Sequence, residues 1–76
     1  MNNRRRSYID KSTNYLELAL DMLRDIFSEE QDSYNNLPEN LQDSERDNTM
    51  KDCIQSLEDA IDSIEEAIDY LKKARG

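Results

Sequence analysis

The chain has 76 residues, of which 37% are charged and 36% hydrophobic, and its formal net charge is −8. Such a chain forms one small domain at most, and its acidity argues against non-specific binding to nucleic acid or to an anionic membrane. One Gly and one Pro argue against a β fold built on tight turns. No apolar run approaches the roughly 20 residues of a membrane span and no signal segment opens the chain, so we expect a cytoplasmic protein without membrane contact.

The first predicted helix runs from about residue 8 to residue 31. Residues 7–10, Ser-Tyr-Ile-Asp, resemble a capping box with Asp in place of Glu, so residues 1–6 are expected to lie outside the helix. At 100° per residue its apolar positions span an arc of about 200°. One partner helix cannot cover this arc, which predicts an oligomer or a docked target. The arc contains Tyr8, Ile9, Tyr15, Leu16, Leu18, Ala19, Leu20, Met22, Leu23, Ile26 and Phe27.

A connector is predicted over residues 32–43. Asn35 and Asn36 have turn chemistry, and Pro38 suits the first position of a short helical turn. This otherwise polar segment also carries the apolar residues Tyr34, Leu37 and Leu41. Either the two leucines fold over the end of the hairpin as a lid, or the three residues form an exposed anchor for a partner.

The second predicted helix runs from about residue 44 to residue 75. Residues 44–47, Ser-Glu-Arg-Asp, form a second start of the capping-box type. Three consecutive seven-residue units follow over residues 54–74, and such a repeat is typical of a helix packed along another helix. Alanines at 60, 67 and 74 would let that helix approach closely. The predicted packing stripe consists of Met50, Leu57, Ile61, Ile64, Ile68 and Leu71, together with Leu16, Leu20, Leu23, Ile26 and Phe27 of the first helix.

The predicted fold is all-α. The stripe positions that precede Met50 carry charged residues, namely Asp43, Arg46 and Asp47. The packed portion of the second helix should therefore begin only near Met50. Two long helices joined by a modest connector are expected to fold back antiparallel. Because two helices alone make a thin core, we expect this single hairpin domain, residues 1–76, to associate, with a dimeric four-helix bundle as the expected form.

The connector carries a family resemblance. Residues 36–45 read Asn-Leu-Pro-Glu-x-Leu-Gln-x-Ser-Glu and are followed by Ile/Leu/Ala heptads. In this the chain resembles small acidic helical proteins encoded in bacteriophage and prophage genomes, and the resemblance covers most of its length. It implies a phage context and a bacterial host cytoplasm, and says nothing about catalysis. Small phage proteins often bind and disable a host factor, so by analogy a host protein is the expected partner.

The residue types do not predict an enzyme. The chain has no His, no Gly-rich phosphate loop and no nucleophile with an evident base. Inward Glu-x-x-His pairs, which would indicate a metal site in a bundle, are also absent, so no cofactor or metal is expected. The single cysteine, Cys53, lies on the apolar stripe and is expected to behave as a small hydrophobe. Carboxylates on the outer, solvated face of the second helix are Glu58, Asp59, Asp62, Glu65, Glu66 and Asp69.

Basic residues are concentrated towards the two ends of the chain. An antiparallel hairpin would bring them together beside two tyrosines at one end, where guanidinium groups and aromatic rings suit a phosphorylated small ligand or nucleotide. Alternatively, the later cations only complement the dipole of the second helix, and the arginines form a solvated tail. This basic pole consists of Arg4, Arg5, Arg6, Tyr8, Lys11, Tyr70, Lys72, Lys73 and Arg75.

The leading functional prediction is a non-catalytic phage-type protein that self-associates and modulates or inhibits a host protein through a helical surface. One alternative is sequestration of a phosphorylated ligand at the basic pole. Another is imitation of nucleic acid, because a rod with regularly spaced carboxylates can occupy a basic groove. A purely structural assembly protein, whose product is the oligomer itself, is also consistent with the pattern.

Overall fold

The fold is an all-α hairpin, described here by a computed structural model for residues 2–42 and 44–76. Helix α1 spans Asn3–Asn35, a 3-10 turn spans Glu39–Leu41, and helix α2 spans Glu45–Arg75. The two helices pack along each other in a rod of 59 × 15 × 12 Å, which confirms the predicted helical hairpin. Met1, assigned above to the segment before α1, and Asp43, assigned to the connector and the stripe, lie outside the described residues.

Helix α1 begins earlier than predicted. Its N-cap is Asn2, whose Oδ1 accepts a hydrogen bond from the backbone N–H of Arg5 at 2.8 Å. The prediction of a start near residue 8, with three arginines outside the helix, is therefore wrong. Cations in a first turn oppose the helix dipole, but here Arg6 Nε donates to the backbone carbonyl of Arg75 at 3.2 Å. The negative end of α2 thus lies beside the first turn of α1 and offsets the unfavourable charges.

Helix α1 also ends later than the predicted residue 31. The C-cap is Asn36, whose backbone N–H donates to the carbonyl of Asp32 at 3.1 Å. Glu30 and Tyr34 are half-buried rather than fully exposed. The packed side of α1 therefore continues past residue 31 to Tyr34, and the additional contacts extend the helix.

The core is one seam on each helix, with residues spaced alternately three and four apart, as in coiled coils. Leu20 and Ile68, each 6% exposed, are the buried hydrophobic residues of the described chain. The other seam residues are buried polar or half-buried, which agrees with the thin core expected for two helices. The inner seam of α1 is Ile9, Thr13, Leu16, Leu20, Leu23, Phe27, Glu30 and Tyr34, and that of α2 is Asp47, Met50, Ile54, Leu57, Ile61, Ile64, Ile68 and Leu71.

The start of α2 agrees with the second predicted cap. The Oγ of Ser44 accepts a hydrogen bond from the backbone N–H of Asp47 at 3.2 Å. Asp47 itself is only 2% exposed, so the prediction that packing begins near Met50 is wrong. Packing begins one turn earlier because Lys51 Nζ neutralises the Asp47 carboxylate at 3.2 Å.

The connector folds against the end of the hairpin. Pro38 has φ −57° and ψ 145°, an extended conformation, so it precedes the 3-10 turn instead of opening it as predicted. Its carbonyl accepts a hydrogen bond from the backbone N–H of Leu41 at 2.9 Å. Leu37 and Leu41 are both half-buried. Half-burial leaves the lid and anchor interpretations of these leucines open.

Three ion pairs join the helices along one flank. Their α1 members are seven residues apart, which places them on the same side of the helix. Because each pair joins an early residue to a late one, together they define the antiparallel register. The pairs are Asp10 Oδ1 with Arg75 Nε at 2.5 Å, Glu17 Oε1 with Lys72 Nζ at 3.8 Å, and Arg24 Nη2 with Glu65 Oε1 at 2.9 Å.

Reversing one of these pairs tests the register directly. We expect Arg24→Glu to destabilise the hairpin by about 0.5–1 kcal/mol, because it places two half-exposed carboxylates side by side. Glu65→Arg should do the same, and the double variant Arg24→Glu/Glu65→Arg should recover most of the loss. Urea unfolding of the four proteins gives the coupling free energy. Additive losses in the double variant would show that the two residues are not neighbours.

Candidate interaction surfaces

A row of large apolar side chains lies exposed on α1, away from α2. The row, here called the outer face, consists of Tyr8 (55% exposed), Tyr15 (73%), Leu18 (60%), Met22 (59%) and Ile26 (44%). At 100° per residue its centre lies about 130° around α1 from the centre of the inner seam. A single α2 packed on the inner seam therefore leaves this row open. Ile26, predicted as part of the packing stripe, belongs to this exposed row.

The remaining predicted stripe residues are at least half-buried between the helices. They are Leu16, Leu20, Leu23, Phe27, Met50, Leu57, Ile61, Ile64, Ile68 and Leu71. Ala60 and Ala67 are half-buried beside them. Cys53 is exposed, so its predicted role as a packed hydrophobe is wrong for the single chain. It lies to the side of the seam, which passes through Met50 and Ile54 at this point.

The basic pole is partly assembled by the hairpin. As predicted, the antiparallel fold brings Arg6 to the last turn of α2. Two of the cations there already contact acids, since Arg75 pairs with Asp10 and Lys72 with Glu17. These contacts neutralise part of the positive charge that a phosphorylated ligand would need.

The two tyrosines of the basic pole hold separate groups of cations. Arg4 and Lys11 lie over the ring of Tyr8, at 5.4 Å and 5.6 Å from its centroid. Lys73 lies 5.7 Å from the ring centroid of Tyr70. Each ring is covered by cations of its own helix, and the Tyr70 hydroxyl also donates to Glu66 of α2 at 3.2 Å. Arg5 is exposed. A shared ligand site at this end remains a prediction.

A buried acid and its lysine partner lie at the connector end of the hairpin. Asp47, in the first turn of α2, pairs with Lys51 one turn later. The hydrogen bond with Asp47, followed by that with Tyr34, raises the pKa of Lys51 above its ordinary 10.5. Since Tyr34 belongs to the last turn of α1, the cluster ties both helices together. The partner-anchor prediction for Tyr34 is not tested by this contact.

This cluster was not predicted, although the sequence carries a signal for it. Asp47 falls on the inner seam and Lys51 follows four residues later, a spacing at which a carboxylate and an ammonium meet on a helix. A charged residue at a seam position with a partner one turn away can be buried, whereas the prediction treated it as solvent-exposed. A shallow groove of about 310 Å³ lies beside the cluster, lined by Tyr34, Asn35, Leu37, Gln42, Asp47 and Lys51.

The described ranges, residues 2–42 and 44–76, contain no candidate metal centre and no candidate membrane span. Within these ranges no three or more His, Cys, Asp or Glu side chains are arranged to hold a metal ion. Neither described helix is long and apolar enough to cross a membrane. A second groove, of about 450 Å³, runs along the ion-paired flank between Glu17 and Lys72.

No protein family, curated protein or solved structure gives a significant match to this chain.

Proposed function

We propose that this chain is a non-catalytic binding protein of the phage type that self-associates and modulates or inhibits a host protein. Its working surface is the outer face of α1. The observation that carries the proposal is the exposure of Tyr15, Leu18 and Met22, which range from 59% to 73% on one side of one helix. Exposed apolar rows of this kind, bordered by polar residues, mark protein interaction sites.

The positions of the large exposed apolar side chains among the described residues favour one surface that serves both self-association and host binding. Five of the six lie on the outer face, and the sixth, Tyr70, lies on α2. A second copy and a host protein would therefore compete for the same side of α1. A helix presenting side chains three and four residues apart suits a groove or another helix on the partner.

Charged substitution on the outer face tests the proposal. We expect tagged wild-type protein to retain one or more identifiable host proteins from bacterial lysate at physiological salt, and Met22→Glu to retain none of them. A carboxylate placed in an apolar contact without a partner removes most of the binding free energy. Both proteins should have the same helical content, because Met22 is exposed in the single chain.

Ser63→Glu is the matched control. It adds the same charge at an exposed position on α2. It should retain the same host proteins as wild type. Equal retention by all three proteins would show that the outer face is not used, and failure of wild type to retain any identified protein would contradict the host-binding role.

A further inference from the structure

The outer face has a charge gradient along α1. Its N-terminal part is basic, where Arg4 and Lys11 lie over Tyr8. Its middle is apolar, and its C-terminal part is acidic. The outer face can be continued along the same side of α1 at three- and four-residue spacing, with Ile26 beside this longer row. The longer row reads Arg4, Tyr8, Lys11, Tyr15, Leu18, Met22, Asp25 and Glu29, all of them exposed. This is a second seam on α1, distinct from the inner seam that contacts α2.

We propose that the outer face pairs with the outer face of a second copy, with the two α1 helices antiparallel and centred near residue 20. The inference rests on the proposed function, since both use the same side of α1, and it specifies the partner. In this register, the residue numbers of two paired residues, one from each chain, add up to 40. Leu18 then meets Met22 of the partner helix, and Lys11 meets Glu29.

Charge complementarity favours this arrangement over a parallel one. Antiparallel pairing sets the basic part of each helix against the acidic part of the other, so Lys11 meets Glu29 twice, once on each side of the two-fold axis. Parallel pairing in register would oppose Lys11 to Lys11 and Glu29 to Glu29. Each chain carries a net charge of −8, so two copies repel one another in general, and a surface that pairs them must supply local attraction.

The apolar centre supplies the attraction that charge alone would not. Tyr15, Leu18 and Met22 occupy the middle of the row and are flanked by Ile26 and by Ala19. Ala19 is small enough to let the second helix approach closely. Charged ends around an apolar centre are typical of interfaces in which the rim fixes the register and the core provides affinity. The two α1 helices would form the middle of a four-helix assembly, with each α2 outside.

Sedimentation of the purified chain with charge-reversed variants tests this pairing. Wild type should sediment at twice the 9.0 kDa mass of one chain. Lys11→Glu and Glu29→Lys should each weaken dimerisation by about tenfold, because each replaces two attractive contacts by two repulsive ones. An equimolar mixture of the two variants, or the double variant Lys11→Glu/Glu29→Lys, should restore wild-type affinity. Both positions are exposed, so circular dichroism should show unchanged folding.

Orientation is measured separately with a spin label. Ser7→Cys in a Cys53→Ser background places one label on each α1, and residue 7 pairs with residue 33 in the proposed register. The two labels should then lie about 40 Å apart, from 1.5 Å of rise per residue. A distance below about 20 Å would indicate parallel helices and overturn the proposal. The proposal would also be overturned if Lys11→Glu and Glu29→Lys both dimerised with the affinity of wild type.

The outcome is independent of the host-binding test. A chain that stays monomeric at high concentration, yet retains a host protein that Met22→Glu loses, would overturn the pairing and the proposed self-association and leave the host-binding role standing. A dimer with the expected label distance that retains no host protein would support the pairing and contradict the host-binding role.

Discussion

Leu20→Ala should remove a large part of the free energy of unfolding. Leu20 is 6% exposed and is one of two buried hydrophobic residues in the described chain. Truncating a buried leucine to alanine costs about 3 kcal/mol, through lost apolar burial and the cavity left behind. A 76-residue chain has a free energy of unfolding of about 4–11 kcal/mol in total. We therefore expect the melting temperature to fall by about 15 °C, measured by far-UV circular dichroism at one fixed chain concentration.

Leu20→Met is the control for this substitution. It keeps nearly the same side-chain volume and should cost less than about 1.5 kcal/mol. The same comparison can be made on the facing helix, where Ile68→Ala should resemble Leu20→Ala. If Leu20→Ala and Leu20→Met were equally stable, the seam between α1 and α2 would not be the core of the fold.

Asp47→Ala is also expected to destabilise the protein strongly, by about 2 kcal/mol. The Asp47 carboxylate is nearly fully buried, pairs with Lys51 and lies in the first turn of α2, where negative charge complements the helix dipole. Removing it takes away a charge-assisted contact and leaves a small void at the connector. Glu45→Ala, which removes an exposed acid from the same turn, should change the free energy of unfolding by no more than about 0.5 kcal/mol. Equal effects would show that burial of Asp47 is not important.

Because of the same cluster, the free energy of unfolding should depend on pH in the alkaline range. The pKa of Lys51 is raised above 10.5 in the folded chain, first of all by its hydrogen bond with Asp47. A raised pKa means that the folded chain holds the proton more tightly, so this contribution is fully present below pH 10.5 and is lost as pH rises through the folded pKa. Asp47→Asn and Lys51→Gln should both flatten this alkaline loss relative to wild type. An unchanged slope would contradict the assignment.

The inner seam of α2 could be predicted because apolar side chains alone define most of it. Ile54, Ile61 and Ile68 recur every seven residues, and a helix that repeats in this way has few other ways to bury them. The surplus apolar surface on α1 was predictable for the same reason. Tyr15, Leu18 and Met22 fall outside the sector that one neighbouring helix can cover.

Features decided by contacts between distant residues could not be predicted. The tetrapeptide at 7–10 looks like a better cap than Asn2 when only local chemistry is considered. The choice depends on the last turn of α2, which receives Arg6 and makes three arginines tolerable in the first turn of α1. The buried pair of Asp47 and Lys51 likewise involves the other helix, because Tyr34 of α1 forms a hydrogen bond with Lys51. Sequence spacing within one helix does not show which residues of another helix will be its neighbours.

The antiparallel register also determines the order in which the hairpin can close. Contact partners are 41 residues apart at Arg24–Glu65, 65 at Asp10–Arg75 and 69 at Arg6–Arg75. Closing the widest of these loops directly costs only about 0.5 kcal/mol more chain entropy than closing the narrowest. Once the narrowest has formed, each further contact needs only a few residues to be ordered. Folding would therefore propagate from the connector towards the chain ends, and backbone amides near the ends would exchange their hydrogens with solvent first.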